Sequence, residues 1–145
     1  MYSEKTICYN IKASWHTIAR MYSSHGADQN VPLNIGYILL NLSKTTGIPS
    51  TQIGPQLGME STSLTRILKS MEEKGLITKK PSEEDKRQVN IFLTDEGDKK
   101  KKMAWQTVKN FNQILESEIS KEDLTVFQSV LKQITFITEN NFKKA

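Results

Sequence analysis

The sequence predicts a mainly α-helical chain carrying one small β-hairpin, and three observations predict it. Apolar residues recur at three- and four-residue spacing through most of the chain, the period switches to two near residue 90, and a charged loop, PSEEDKRQ, precedes that switch. Its 145 residues, 37% hydrophobic and 25% charged, suit one domain with a core of its own.

Taken in order, Cys8, Ile11, Trp15, Ile18 and Tyr22 mark one face of a first helix, which the polar run SSHGADQN from Ser23 to Asn30 is expected to end. After Pro32, the residues Ile35, Ile38, Leu39 and Leu42 give a second, more apolar helix, closed by Thr45, Thr46 and Gly47. Ser50 reads as the N-cap of a third helix through Ile53 and Leu57 that Gly58 closes. Pro55 lacks a backbone donor, so this helix should be short or bent. From Thr62 onward Leu64, Ile67, Leu68 and Met71 form one apolar stripe, and Gly75 falls where a left-handed C-terminal cap belongs. Ile77 to Lys80 and the alternating Val89, Ile91 and Leu93 are the two strands of the hairpin. Thr94 caps a long fifth helix, with Asp95 and Glu96 favoured by the dipole in its first turn and Ala104, Val108, Phe111 and Leu115 on its buried side. A capping box from Ser120 to Asp123 opens a sixth helix that carries Leu124, Phe127, Leu131 and Ile134 on one face.

Four helices, a hairpin and two further helices make a winged helix-turn-helix lobe with flanking helices. The third helix braces the fourth, whose N-terminal half can enter a DNA major groove while the hairpin reaches the backbone or minor groove beside it. Opposite its apolar stripe the fourth helix leaves Ser61, Thr62, Ser63, Thr65, Arg66 and Lys69, a set of hydroxyls and cations suited to phosphates and base edges. Serine and threonine alone would read as a solvated face. Arg66 and Lys69 beside the basic hairpin favour DNA, as does the net charge of +4, though mildly. On the hairpin, Lys79 and Lys80 precede the loop and Lys86 and Arg87 follow its tip; Asp85 is placed to hold the Arg87 guanidinium by a charge-assisted hydrogen bond.

The stretch GMESTSLTRILKSMEEKGLITKKPSEEDKRQVNIFLTDEG resembles the MarR (multiple antibiotic resistance regulator) family of dimeric winged-helix transcription factors. The helix end EKGLI, the wing residues Asp85 to Arg87, and Leu93 and Thr94 followed by Gly97 carry the resemblance. It implies a homodimer joined through the flanking helices, a palindromic double-stranded DNA operator, and a wing arginine, Arg87, in the minor groove. Two departures stand out: Glu60 replaces a common serine N-cap, and Pro55 interrupts the brace helix, which leaves the docking angle of the fourth helix open. One domain is expected over 1–145, with the DNA-binding lobe at about 33–93 and dimerisation helices at 1–25 and 94–145. The apolar sides of the end helices independently call for a partner, and Ile11, Phe111, Leu115, Phe127, Leu131 and Ile134 are the interface candidates.

The resemblance also implies a small, aromatic or acidic effector in a crevice beside the DNA-binding lobe. Trp15, Tyr22 and Tyr37 with His16 and Arg20 are the candidates to line it, although aromatics at helical spacing are more often plain core. Some relatives sense peroxides through a cysteine on the first helix. Here Cys8 lies in phase with Ile11 and Trp15, so a buried, unreactive thiol is the commoner expectation and redox sensing the alternative. One cysteine and two distant histidines supply no zinc-ligand set, and no nucleophile with a base or phosphate loop points to an enzyme, so no catalytic residue, metal or cofactor is assigned. No apolar run approaches the roughly 20 residues of a membrane span, and the start MYSEKTICYN does not read as a signal peptide, so a cytoplasmic location is expected. A winged helix can also serve as a protein-interaction module that binds no DNA.

Overall fold

The computed structural model of the chain describes residues 5–142; residues 1–4 and 143–145, the outer ends of the segments 1–25 and 94–145, lie outside them. The chain divides into two compact units, Met1–Thr107 and Val108–Ala145. The first holds α1 (Ile7–Asp28), α2 (Leu33–Asn41), β1 (Ile48–Pro49), α3 (Ser50–Leu57), α4 (Ser61–Glu73), β2 (Ile77–Pro81), β3 (Val89–Leu93) and the start of α5 (Asp95–Glu118). The second holds the rest of α5 and α6 (Lys121–Asn141).

The polar run from Ser23 does not end α1, which continues to Asp28. Gly26 explains why: the Val31 N–H donates to its carbonyl at 2.7 Å, and a Cβ at Gly26 would overlap the Val31 carbonyl oxygen. Asn30, at φ +55°, then turns the chain into α2. Ser50 is not the cap of α3 but its first helical residue; Pro49 holds the cap position with no side-chain bond, and α3 keeps Pro55 inside its eight residues. β1 was not predicted. Two residues, one of them proline, show no period, yet Ile48 pairs with Ile91 and Pro49 with Asn90, giving a three-stranded antiparallel sheet in the order β1-β3-β2. The hairpin register runs from Ile77 opposite Leu93 to Pro81 opposite Val89.

The buried core lies entirely between Val31 and Leu93, where Ile38, Leu39, Met71 and Ile91 are fully enclosed. α4 presents Leu64, Leu68 and Met71 to it. That helix ends in a Schellman cap, because Gly75 at φ +68° lets its own N–H reach the Glu72 carbonyl and the Leu76 N–H reach that of Met71, both at 2.9 Å. α5 starts against this cap. The Thr94 hydroxyl donates to the Gly75 carbonyl at 2.6 Å and accepts from the Gly97 N–H at 3.0 Å, and the Thr94 N–H donates to the Leu76 carbonyl at 3.1 Å. Two lysines of the run 99–102 secure the same helix: the Lys100 ammonium donates to the Gln29 carbonyl (3.0 Å) at the end of α1, and that of Lys101 to the Leu42 carbonyl (2.6 Å) at the end of α2. Lys44 pairs with Asp95, which lowers the pKa of the carboxyl and raises that of the amine, through their hydrogen bond first.

In the second unit the Ser120 hydroxyl accepts from the Asp123 N–H at 3.1 Å and donates to the Asp123 carboxylate at 2.8 Å, closing the N-terminus of α6. Val108, Phe111, Leu115, Leu124, Leu131 and Ile134 are half-buried. Phe127, expected on the covered face, is 57% exposed, and Val126, Val130, Phe136 and Ile137 are exposed with it. Among the described residues no helix is long and apolar enough to cross a membrane.

Gly97 is buried, and a Cβ there would overlap the Leu76 carbonyl oxygen, a backbone atom that cannot move aside alone. Gly97→Ala is therefore expected to cost about 1 to 3 kcal/mol, as overpacking does. Chemical denaturation checks this, and Ala104→Gly on the same helix should cost no more than about 1 kcal/mol.

Candidate nucleic-acid interface

α4 divides cleanly by exposure. Ser61, Thr62, Thr65, Arg66 and Lys69 are exposed and Ser63 is half-buried, opposite the buried stripe. Glu60 occupies the N-cap with extended backbone but makes no side-chain capping bond, so the departure from serine leaves the first-turn N–H groups without a side-chain acceptor from the cap. The Thr65 hydroxyl donates back to the Ser61 carbonyl at 2.8 Å, which commits its proton and leaves only its oxygen as an acceptor.

The wing loop is shaped by two short side chains. The Ser82 hydroxyl accepts from the N–H groups of Glu84 (3.3 Å) and Asp85 (3.4 Å), and the Gln88 N–H donates to the Asp85 carbonyl at 2.8 Å. Asp85 departs from the expected role: its carboxylate accepts from the backbone N–H of Arg87 at 3.0 Å, not from the guanidinium. An aspartate two residues ahead reaches the backbone more easily than the end of a long side chain, the geometry of an Asx turn. The carboxylate thus fixes the path of the loop, and the Arg87 side chain extends from it exposed, beside exposed Lys86.

The two strand lysines differ in kind. Lys79 is ion-paired with Glu72 of α4 at 2.8 Å, whereas the Lys80 ammonium stands 5.1 Å from the centre of the Phe92 ring. Among the described residues, Arg66, Lys69, Lys80, Lys86 and Arg87 have no carboxylate within ion-pair distance. The lysine run 99–102 adds nothing to this face, since Lys99 and Lys102 pair with Glu96 and Asp98 and the other two cap helix ends. Sequence spacing does not disclose the roles of Glu72, Lys100 and Lys101, because each depends on an element distant in the chain or across a turn.

The effector candidates are only partly gathered. Trp15 and Tyr37 stack with ring centres 5.9 Å apart and planes at 28°. Burial raises the pKa of Tyr22 and of Tyr37, and for Tyr37 the nearby Tyr22 adds to the effect. His16 is exposed, and Arg20 donates to Thr17 on its own helix at 3.3 Å. A cleft of about 290 Å³ at the turn between α1 and α2, lined from Ser23 to Leu33, includes none of the five. Cys8 is exposed rather than buried, near the start of α1 where Ile7 and Ile11 are exposed too, one or two turns before Trp15 meets Tyr37. Among the described residues no cluster of His, Cys, Asp or Glu could hold a metal ion.

Residues 36–89, from the second helix through the wing, match the family model described as MarR family. The organic hydroperoxide resistance transcriptional regulator of Bacillus subtilis is 36% identical over 94 residues, which are 65% of this chain and 64% of that protein. An HTH-type transcriptional regulator of Methylorubrum extorquens, TtmR, is 33% identical over 94 residues, 65% of this chain and 48% of its own length. The fold of S. aureus MepR, solved in complex with DNA, superposes over 91% of this chain and 97% of that one with a TM-score of 0.82 at 22% identity.

The segment 36–89 of this chain is similar to the MarR family, and its fold is a winged helix. The aligned part spans about half to two thirds of those two curated relatives, and the family match ends at Val89, just after the wing loop that Ser82 and Asp85 shape. In this wing Asp85→Ala removes one neutral-donor bond to a carboxylate at an exposed site. The Arg87 amide should then exchange with solvent about fivefold faster, the factor that about 1 kcal/mol gives, while the Ile91 amide keeps its rate. Hydrogen exchange followed residue by residue reads both.

Proposed function

We propose that this protein is a sequence-specific, double-stranded DNA-binding transcriptional regulator, acting as a homodimeric repressor in the cytoplasm and released from a palindromic operator by a small aromatic or acidic effector. The observation that carries the reading is the grouping of five cations without carboxylate partners among the described residues, Arg66, Lys69, Lys80, Lys86 and Arg87, on α4 and the wing, whereas the lysine run 99–102 is committed to protein groups and the likewise unpaired Lys12, Lys109, Lys121 and Lys132 are scattered singly along the end helices. A protein surface that keeps its cations unpaired suits a polyanion. Dimerisation is supported by the exposed Ile11 and Trp15 on α1 and by the exposed Val126, Phe127, Val130 and Ile137 on α6, which a second copy would remove from water. Trp15 and Tyr37, already stacked, favour an aromatic effector over an aliphatic one. No catalytic step belongs to this reading.

A second reading keeps the DNA-binding part and replaces the effector by oxidation of Cys8, which is favoured by the exposure of that thiol. If it holds, an alkyl hydroperoxide releases wild-type protein from DNA and leaves Cys8→Ser bound; if the small-molecule reading holds, the two respond alike. Gel-shift titration with and without the oxidant separates them.

DNA binding is tested by selecting duplexes from a random pool and measuring affinity across a salt series. Arg87→Ala is expected to weaken selected and scrambled duplexes alike and to lower the salt slope by roughly 1 per lost phosphate contact. Arg66→Ala should cost roughly 1 to 3 kcal/mol on the selected duplex and less on the scrambled one, since its place in the first half of α4 lets it reach a base edge. Two copies per duplex are expected in sedimentation. If wild-type protein selects nothing, the reading gives way to a protein-interaction module.

A further inference from the structure

We propose that Lys79 and Glu72 form a strut that sets the pitch of the wing against α4, which makes Lys79 a positioning residue in DNA recognition and not a phosphate contact. The inference rests on the DNA-binding reading above. Strand alternation places Lys79 on the same face of β2 as Ile77, which is 2% exposed, and the register sets it opposite Ile91, which is fully buried. From that core-side position its ammonium meets the Glu72 carboxylate at 2.8 Å. Glu72 lies in the last turn of α4, and its own carbonyl accepts from Gly75 in the helix cap. The pair therefore spans the Schellman turn and ties the middle of β2 to the end of the recognition helix.

Lys80 shows what a lysine free of this duty looks like. It alternates to the other face of the sheet, over the Phe92 ring, and has no carboxylate partner among the described residues. That ring is itself held in place, because Gly47 runs so close beneath it that any Cβ there would collide with Phe92 and Asn90. Two adjacent lysines are thus divided by the strand period into one turned toward protein and one left to solvent.

The strut matters because two elements must fit one duplex at once. The separation of neighbouring grooves is set by the DNA, so a helix in one and a wing beside it bind together only when their mutual angle is right. β1 braces the hairpin at Ile91 and Asn90, and Thr94 and Leu93 secure only its base, so the strut acts farther out, at the middle of β2. With side chains 33% and 46% exposed, the ion pair adds little to global stability, so its loss leaves a folded protein whose wing is free to tilt.

Removing the Glu72 charge decides between strut and contact, because the two roles predict opposite signs. A phosphate-contacting Lys79 would gain from Glu72→Gln, which takes a negative charge from the DNA side. A strut would lose by it. Binding of the selected duplex by Glu72→Gln is expected to weaken about threefold to tenfold with the salt slope unchanged, consistent with coupling within one contact network. Lys79→Gln should weaken it by the same factor, and the exchanged pair Glu72→Lys with Lys79→Glu should return to within about twofold of wild type. Fluorescence anisotropy across a salt series reads all three, with thermal melts confirming that each variant folds. Tighter or unchanged binding by Glu72→Gln overturns the inference, as does a salt slope lowered by about 1 in Lys79→Gln. Both outcomes leave DNA binding itself intact, whereas wild-type protein that selects no duplex removes the reading and the strut together.

Discussion

One hydroxyl holds the winged helix of this protein to the helix that leaves it. Thr94 donates to the Gly75 carbonyl at the end of α4 and accepts from Gly97 in the first turn of α5, so a single side chain satisfies one orphan group at each of two helix ends. The contact needs glycine on both sides. Gly75 supplies the left-handed backbone that closes α4, and Gly97 supplies the bare Cα on which the Leu76 carbonyl rests. The hairpin enters and leaves through this junction, with Ile77 opposite Leu93 as its first pair, so the wing inherits its origin from the same few atoms.

Around that junction the charged residues follow a division of labour. Lys100 and Lys101 carry their amines to the carbonyl ends of α1 and α2, where the helix dipoles favour a cation, and Lys44, Lys99 and Lys102 are matched to Asp95, Glu96 and Asp98. A run of four lysines that would look like a nucleic-acid patch is thereby absorbed into the scaffold. Among the described residues Lys12, Lys74, Lys109, Lys121 and Lys132 also have no carboxylate within ion-pair distance, but Arg66, Lys69, Lys80, Lys86 and Arg87 are gathered on α4 and the wing, and it is this grouping, more than the net charge, that gives the winged helix a basic face.

The apolar residues show a similar remainder. Among the described residues every buried apolar side chain lies between Val31 and Leu93, while α1 and α6 bury no residue at all and keep tryptophan, phenylalanine, valine and isoleucine in water. Exposed apolar surface on that scale is unfavourable for an isolated chain, and a second copy is the simplest way to remove it. The exposure of Cys8 belongs to the same account, since it lies at the start of α1 beside the exposed Ile7 and Ile11.

Much of this was legible from residue spacing alone. The order of helices, the hairpin, the caps at Gly58, Gly75, Thr94 and Ser120 and the exposed hydroxyl and cationic set on α4 all follow from local rules, because a 3.6-residue or two-residue period and a capping bond involve neighbours in the chain. The similarity of the segment 36–89 to the MarR family was legible for the same reason, resting on short motifs at fixed spacing. Tertiary structure decided what depends on a partner far along the chain or across a turn. It made β1 a strand by pairing it with β3, carried α1 past Ser23 by packing Val31 on Gly26, turned Asp85 toward the backbone of Arg87, and separated Lys79 from Lys80 by giving only one of them a carboxylate. Composition names the charges a chain carries, but which of them remain free is set by three-dimensional distance, and local sequence does not encode that distance.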